Sequence, residues 1–164
     1  MYVRGKYFWY GEDLTDAFAI RKKVFGDEQG MKDEVLFDDM DKVAVHAIVY
    51  NDKDEPIASG RIINDEGNYR IGKIAVLPEA RGKLYGDFLV RMLVDKGYLA
   101  GATTIQVRSQ IHAVGFYEKI GFKKSGNVFV DNNDGLTVQP MELPKGSLCK
   151  ECQNNNVSRE TSEN

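Results

Sequence analysis

Residues 74–90 read Ile-Ala-Val-Leu-Pro-Glu-Ala-Arg-Gly-Lys-Leu-Tyr-Gly-Asp-Phe-Leu-Val: an apolar run, a turn of glycine and basic residues, then a segment of helical period. Backbone N–H groups at a helix N-terminus have no intrahelical acceptor and carry partial positive charge, so such a turn can hold an anion. Gly82 and Gly86 would let the backbone come close to it, and Arg81 and Lys83 would add formal charge beside it. The same spacing also describes an ordinary strand-to-helix turn with solvated bases, and spacing alone does not separate the two. A second stretch, Gln110-Ile-His-Ala-Val-Gly-Phe-Tyr-Glu-Lys-Ile-Gly-Phe122, sets Phe116 and Tyr117 side by side on a short helix. A phenol there can donate a proton, or both rings can simply pack. His46, inside an apolar strand, is open to the same two readings, proton transfer or core.

The elements that must position these groups follow from periodicity. Tyr2–Tyr10 is aromatic and β-branched, as a first or edge strand would be. From Asp13 a helical stripe runs through Leu14, Ala17, Phe18, Arg21, Val24 and Phe25, with Gly26 as its expected end. Residues 27–41 have no period and hold seven acids, which reads as a long surface loop. Strands are expected at 43–50, 57–63 and 70–77, the first two as a hairpin. A helix follows from Leu84 to Gly97 or Gly101, then a strand at 103–107 and a short helix closed by Gly121. Strands at 122–130 and 136–143 flank the turn Asp131-Asn-Asn-Asp-Gly135. The result is one α/β domain over residues 1–144 with a mixed sheet, and a polar tail over 145–164.

Composition narrows the function. The chain has 164 residues, 42% hydrophobic and 29% charged, enough for a single self-sufficient core. A net charge of −3 lacks the basic excess of a phosphate-gripping nucleic-acid binder. No apolar run approaches the roughly 18 residues of a membrane span, and residues 1–10 lack the features of a signal peptide, so a cytoplasmic protein is expected. Cys149 and Cys152 lie together near the C-terminus, and with His46 and His112 as the only histidines no metal site is expected. Neither a Gly-x-Gly-x-x-Gly nor a P-loop run is present.

Taken together, residues 81–86 and 110–122 resemble the signatures of the GNAT superfamily of N-acetyltransferases, and the order of Arg21-Lys-Lys-Val-Phe25, Glu28-Gln-Gly30, the acidic run and His46 is similar to its ElaA-like stand-alone bacterial branch. The resemblance covers roughly residues 3–143 and departs at Leu84, where the signature has glycine, and at Gln110, where asparagine is usual. It implies a mixed, mostly antiparallel sheet, splayed between its fourth and fifth strands, with flanking helices. It implies acetyl-CoA as co-substrate, with the pantetheine arm along Ile74, Ala75 and Val76 and the pyrophosphate on Arg81, Gly82, Lys83, Leu84, Tyr85, Gly86 and Asp87. Gln110 and Phe116 complete that site. Tyr117 takes the position of the acid that protonates the leaving thiolate, in a direct transfer to a primary amine. His46, Glu28 and Glu34 are the alternatives for a base. The acidic loop would draw a cationic acceptor or be a solvated face, and a homodimer is compatible with the family. A binding module that has kept the acyl-CoA wedge without turnover is the rival reading, and a pure interaction protein the remoter one. Leucine at position 84 is expected in helical conformation with its side chain against the sheet.

Overall fold

The computed structural model describes residues 3–148 and 159–162, so the Cys149/Cys152 pair lies outside the described residues. In chain order the elements are β1 (Val3–Trp9), α1 (Thr15–Arg21) continued by a π-helical segment (Lys22–Glu28), α2 (Asp33–Leu36), a 3₁₀ turn (Asp39–Lys42), β2 (Val45–Tyr50), β3 (Pro56–Asp65), β4 (Asn68–Val76), α3 (Tyr85–Leu99), β5 (Thr104–Gln110), α4 (Val114–Ile120), β6 (Lys123–Lys124), β7 (Phe129–Val130), β8 (Thr137–Pro144) and β9 (Arg159–Ser162). One sheet runs β6-β8-β5-β4-β3-β2-β1-β9, with β7 on β8. The pairs are antiparallel except β4–β5 and β1–β9. This is the mixed, mostly antiparallel sheet that the sequence led us to expect.

Helix α3 lies across one face and buries Phe88, Leu89, Met92 and Leu93 against it, while α1 covers the other, where the Ser59 hydroxyl donates to Ala17 O at 3.2 Å. Three expectations change. Gly26 does not end the first helix: the chain runs on in π geometry, and the stop is Gly30 at φ 75°, whose N–H bonds to Gly26 O while Met31 N–H reaches back to Phe25 O. Gly26 is small for packing, since a Cβ there would come 3.3 Å from Leu36 Cδ1. The strand expected over 122–130 is two short pieces, because Pro140 on β8 has no N–H to continue the ladder. The Gln139 side chain bonds Gly126 O in the gap. The stretch read as a tail contributes β9, which adds parallel to β1.

Candidate active site

The cleft begins where β4 and β5 stop pairing. They share only Tyr69↔Ile105, Arg70↔Gln106 and Ile71↔Val107. Just beyond, Arg61 pairs with Gly72 and Ser59 with Ala75, so Gly60 faces two residues and β4 bulges at Lys73, which takes φ 53°. A bulge sharpens strand twist, and here it carries the end of β4 away from β5. The parted strands leave a cleft of about 700 Å³, within the size range of small-molecule sites. Gly72, Ile74 and Val76 form one wall, and Val107, Gln110 and Tyr117 the other.

The cleft runs onto the N-terminus of α3. Phe88 N–H to Leu84 O at 3.0 Å is the helix's first bond, so the amides from Gly82 to Asp87 have no acceptor within it. Gly82 turns the chain at φ 77°. Gly86 lets the helix end sit directly on β4 and α4: a Cβ there would come 3.2 Å from Val76 and 3.3 Å from Phe116. A dipolar helix end beside an apolar trench can take an anion that carries an apolar arm.

Leu84 overturns its expectation. It is the N-cap residue in left-handed geometry, φ 66° and ψ 10°, with its side chain 48% exposed rather than packed on the sheet. Left-handed backbone costs an L-residue about 1–2 kcal/mol, while glycine loses roughly 0.5–1 kcal/mol of unfolded-state entropy. Leu84→Gly is therefore expected to leave stability unchanged or raise it by up to about 1.5 kcal/mol, a gain readable as a small upward shift in thermal midpoint. A clear loss would show that the leucine side chain holds a contact.

The other candidate residues divide. Arg81, Gly82, Leu84, Tyr85, Gly86, Asp87, Gln110, Phe116 and Tyr117 line the cleft together with Ile74 and Val76. Ala75 turns into the core, 1% exposed opposite Ser59, and Lys83 points to solvent outside the lining. Arg81 is not a free charge beside an anion: its guanidinium forks onto Glu28 at 2.7 and 2.8 Å, and its Nε caps Val76 O at 3.1 Å. These bonds hold the Glu28 carboxyl below its usual range, so Glu28 faces the cleft as a weak base while Arg81 stays on it. Gln29 accepts from Gln110 Nε2 at 3.2 Å, so the end of the π-helical segment is tied to both walls. Tyr117, 6% exposed, packs edge-on against Phe116 and Phe122, and burial pushes its phenol up.

His46 and Glu34 are not brought to the cleft. His46 is fully buried against Phe18 and donates from Nε2 to Asp41 O at 2.9 Å. Burial lowers its pKa, so it is a neutral core residue. Two acids of the acidic loop, Asp38 and Asp41, are likewise structural, while Asp27, Asp33, Glu34 and Asp39 are exposed. Asp41 binds Arg21 at 2.9 Å and Arg61 at 2.8 Å, and Asp38 binds Arg61 at 2.9 Å. These two carboxylates neutralise buried guanidiniums. Lys73, Arg108, Gln29 and Met31 also line the cleft. Of these, Gln29 lay in the Glu28-Gln-Gly30 pattern and Lys73 stood out as a lone charge inside the apolar run Ile71–Val76.

The sequence pattern of the acetyltransferase (GNAT) domain matches residues 13–145. The chain belongs to the GNAT acetyltransferase family. Among its relatives is the uncharacterized N-acetyltransferase YjcF of Bacillus subtilis, 31% identical over 112 residues, which are 68% of this chain and 79% of that protein. Another is the uncharacterized YyaT of the same organism, 28% identical, covering 81% and 91%. Escherichia coli ElaA shares the GNAT fold at TM-score 0.73 and 21% identity, covering 85% of this chain and 98% of ElaA. An acyl-CoA N-acyltransferase from Pseudomonas aeruginosa does so at TM-score 0.70 and 21% identity, with the same coverage. As a GNAT protein the chain is an acyltransferase, and the parted β4 and β5 form the wedge of that fold. Among the described residues no helix is long and apolar enough to cross a membrane.

Proposed function

We propose that this GNAT acyltransferase moves an acetyl group from acetyl-CoA to a primary amine by direct transfer, with both substrates bound at once. The observation that carries the reading is the continuity of one cleft, from the bulged end of β4 to the N-terminal turn of α3. The backbone of Ile74 and Val76 would hold the pantetheine arm, and the amides of Gly82–Asp87 the pyrophosphate. Acetyl-CoA supplies a thioester whose C–S bond breaks as the amine's C–N bond forms. The chain's own part is to orient and to move protons. Tyr117 donates its phenolic proton to the departing sulfur, and its raised pKa keeps it protonated across neutral pH. The ammonium of the acceptor loses its proton to water in the open cleft, or to Glu28 if Arg81 turns to the phosphates.

Calorimetric titration tests the base of this reading. Acetyl-CoA is expected to bind with micromolar affinity and to release CoA when amines are added. No binding at millimolar acetyl-CoA would discard it.

A further inference from the structure

Basic side chains gather on one face of the two strands that border the cleft. Ile62 and Ile105 point at Gly97 of α3, and the pairs Ile62↔Ile71 and Ile71↔Val107 put Ile71 and Val107 on that same face. Strand alternation turns Arg70 and Arg108 to the opposite face, on the side of α1 and α2. The β4 bulge adds Lys73 there: its ammonium donates to Val35 O of α2 at 3.1 Å. Lys73 and Arg108 both line the cleft, next to the apolar Phe25 and Met31.

Most of their negative neighbours are already engaged, and Asp134, which lines the cleft and acts on Lys73 by charge, accepts the Leu136 N–H at Oδ1. Asp38 and Asp41 are held by Arg61 and Arg21. Asp131 meets one Arg108 nitrogen at 3.2 Å and turns its other oxygen to the Asn133 N–H. Lys73, half-buried, has a backbone carbonyl as its one hydrogen-bond acceptor among the described residues. Burial, then the charges of Arg61 and Arg21, disfavour its ammonium. A cation kept in such a place, facing a cleft, is stabilised when an anion enters.

We propose that the acceptor carries a carboxylate beside its amine, as an amino acid does, and that Lys73 and Arg108 bind it on the α1 side of the cleft. The carboxylate anchors the acceptor, Phe25 and Met31 take its apolar part, and the amine is left facing the thioester. This rests on the acetyl-transfer reading and names the substrate class for it. A polyamine or a peptide lysine side chain would put a further cation against Lys73 and is disfavoured for the same reason.

The test compares glycine, phenylalanine and glutamate with their α-carboxamides, which keep the amine and lose the charge. CoA release is measured under steady-state conditions. At least one free acid is expected to exceed its amide more than tenfold in kcat/KM. Lys73→Met should bring that preference below threefold, Arg108→Gln should weaken it, and Lys73→Arg should restore most of it. A second readout needs no turnover: N-acetylphenylalanine should bind the CoA complex more than tenfold tighter than its amide by calorimetry, and Lys73→Met should abolish the difference. Amides equal to or better than acids in both assays would overturn the proposal, as would a preference unaffected by Lys73→Met. Acetyl-CoA binding with turnover of amides alone sinks only the carboxylate site, whereas absence of acetyl-CoA binding sinks the acetyl-transfer reading itself.

Discussion

Tyr117→Phe is expected to lower kcat by a factor of about 10² to 10⁴, the usual range for losing a general acid, with the dissociation constant for acetyl-CoA changed less than threefold. The ring fills its place without help from the hydroxyl. It stands edge-on at 4.9 Å from Phe116 and 5.6 Å from Phe122, and the hydroxyl makes no hydrogen bond to another described residue. Phenylalanine therefore keeps the packing and removes only the proton. Because burial raises the phenol, the native alkaline limb of kcat/KM, where it reports this group, should lie above the ordinary phenol value near 10. Steady-state CoA release, with calorimetry on the same preparation, reads both quantities. Native turnover in a stably folded variant would make Tyr117 a packing residue.

The largest stability effect is expected at Asp41. Its carboxylate accepts from Arg21 at 2.9 Å and from Arg61 at 2.8 Å, and its backbone carbonyl takes the His46 proton. Arg21 is 2% exposed and Arg61 7%, so Asp41→Asn leaves two buried guanidiniums facing Asp38 alone. Breaking a buried pair from one side costs about 3–5 kcal/mol, which at this size lowers the thermal midpoint by roughly 6–20 °C. The acid limb gives a second check. Burial alone would push the Asp41 carboxyl up, but bonding and charge from the two arginines outweigh it and hold it low, and Arg61 does the same for Asp38. A depressed carboxyl contributes stability that is complete above the unfolded value near 3.9 and lost as pH falls through the folded value. His46, neutral when buried, adds acid sensitivity that begins near its unfolded value of about 6.5. The Asn variant should show a flatter acid limb below pH 4 in urea titrations. An unchanged midpoint and limb would mean that solvent already reaches the cluster.

Much of this protein was legible from order and spacing. Period-2 and period-3.6 runs located the strands and α3, and the turn of Gly82 and Gly86 marked the end of the cleft at the N-terminus of α3, because capping and backbone approach are local properties of a few consecutive residues. Leu84 shows the limit of local reasoning. Leucine alone predicts helical angles, yet the path from β4 into α3 imposes φ 66°. Glycine at 26 looked like a stop and is a contact with Leu36, a residue ten positions on. What one carboxylate or imidazole does depended entirely on partners brought from elsewhere. Asp38 and Asp41 became counterions because β3 carries Arg61 beneath them, and His46 became core because Asp41 O and Phe18 close over it. Glu28 alone of the three base candidates reached the cleft, and it arrived already bound to Arg81. The facing of Lys73 and Arg108 followed from a bulge and a parallel register, neither of which is written in any single stretch of chain. Sequence determines which groups are available and the local shape of the backbone that carries them; pairing across the sheet sets their charge, their exposure and therefore their chemistry.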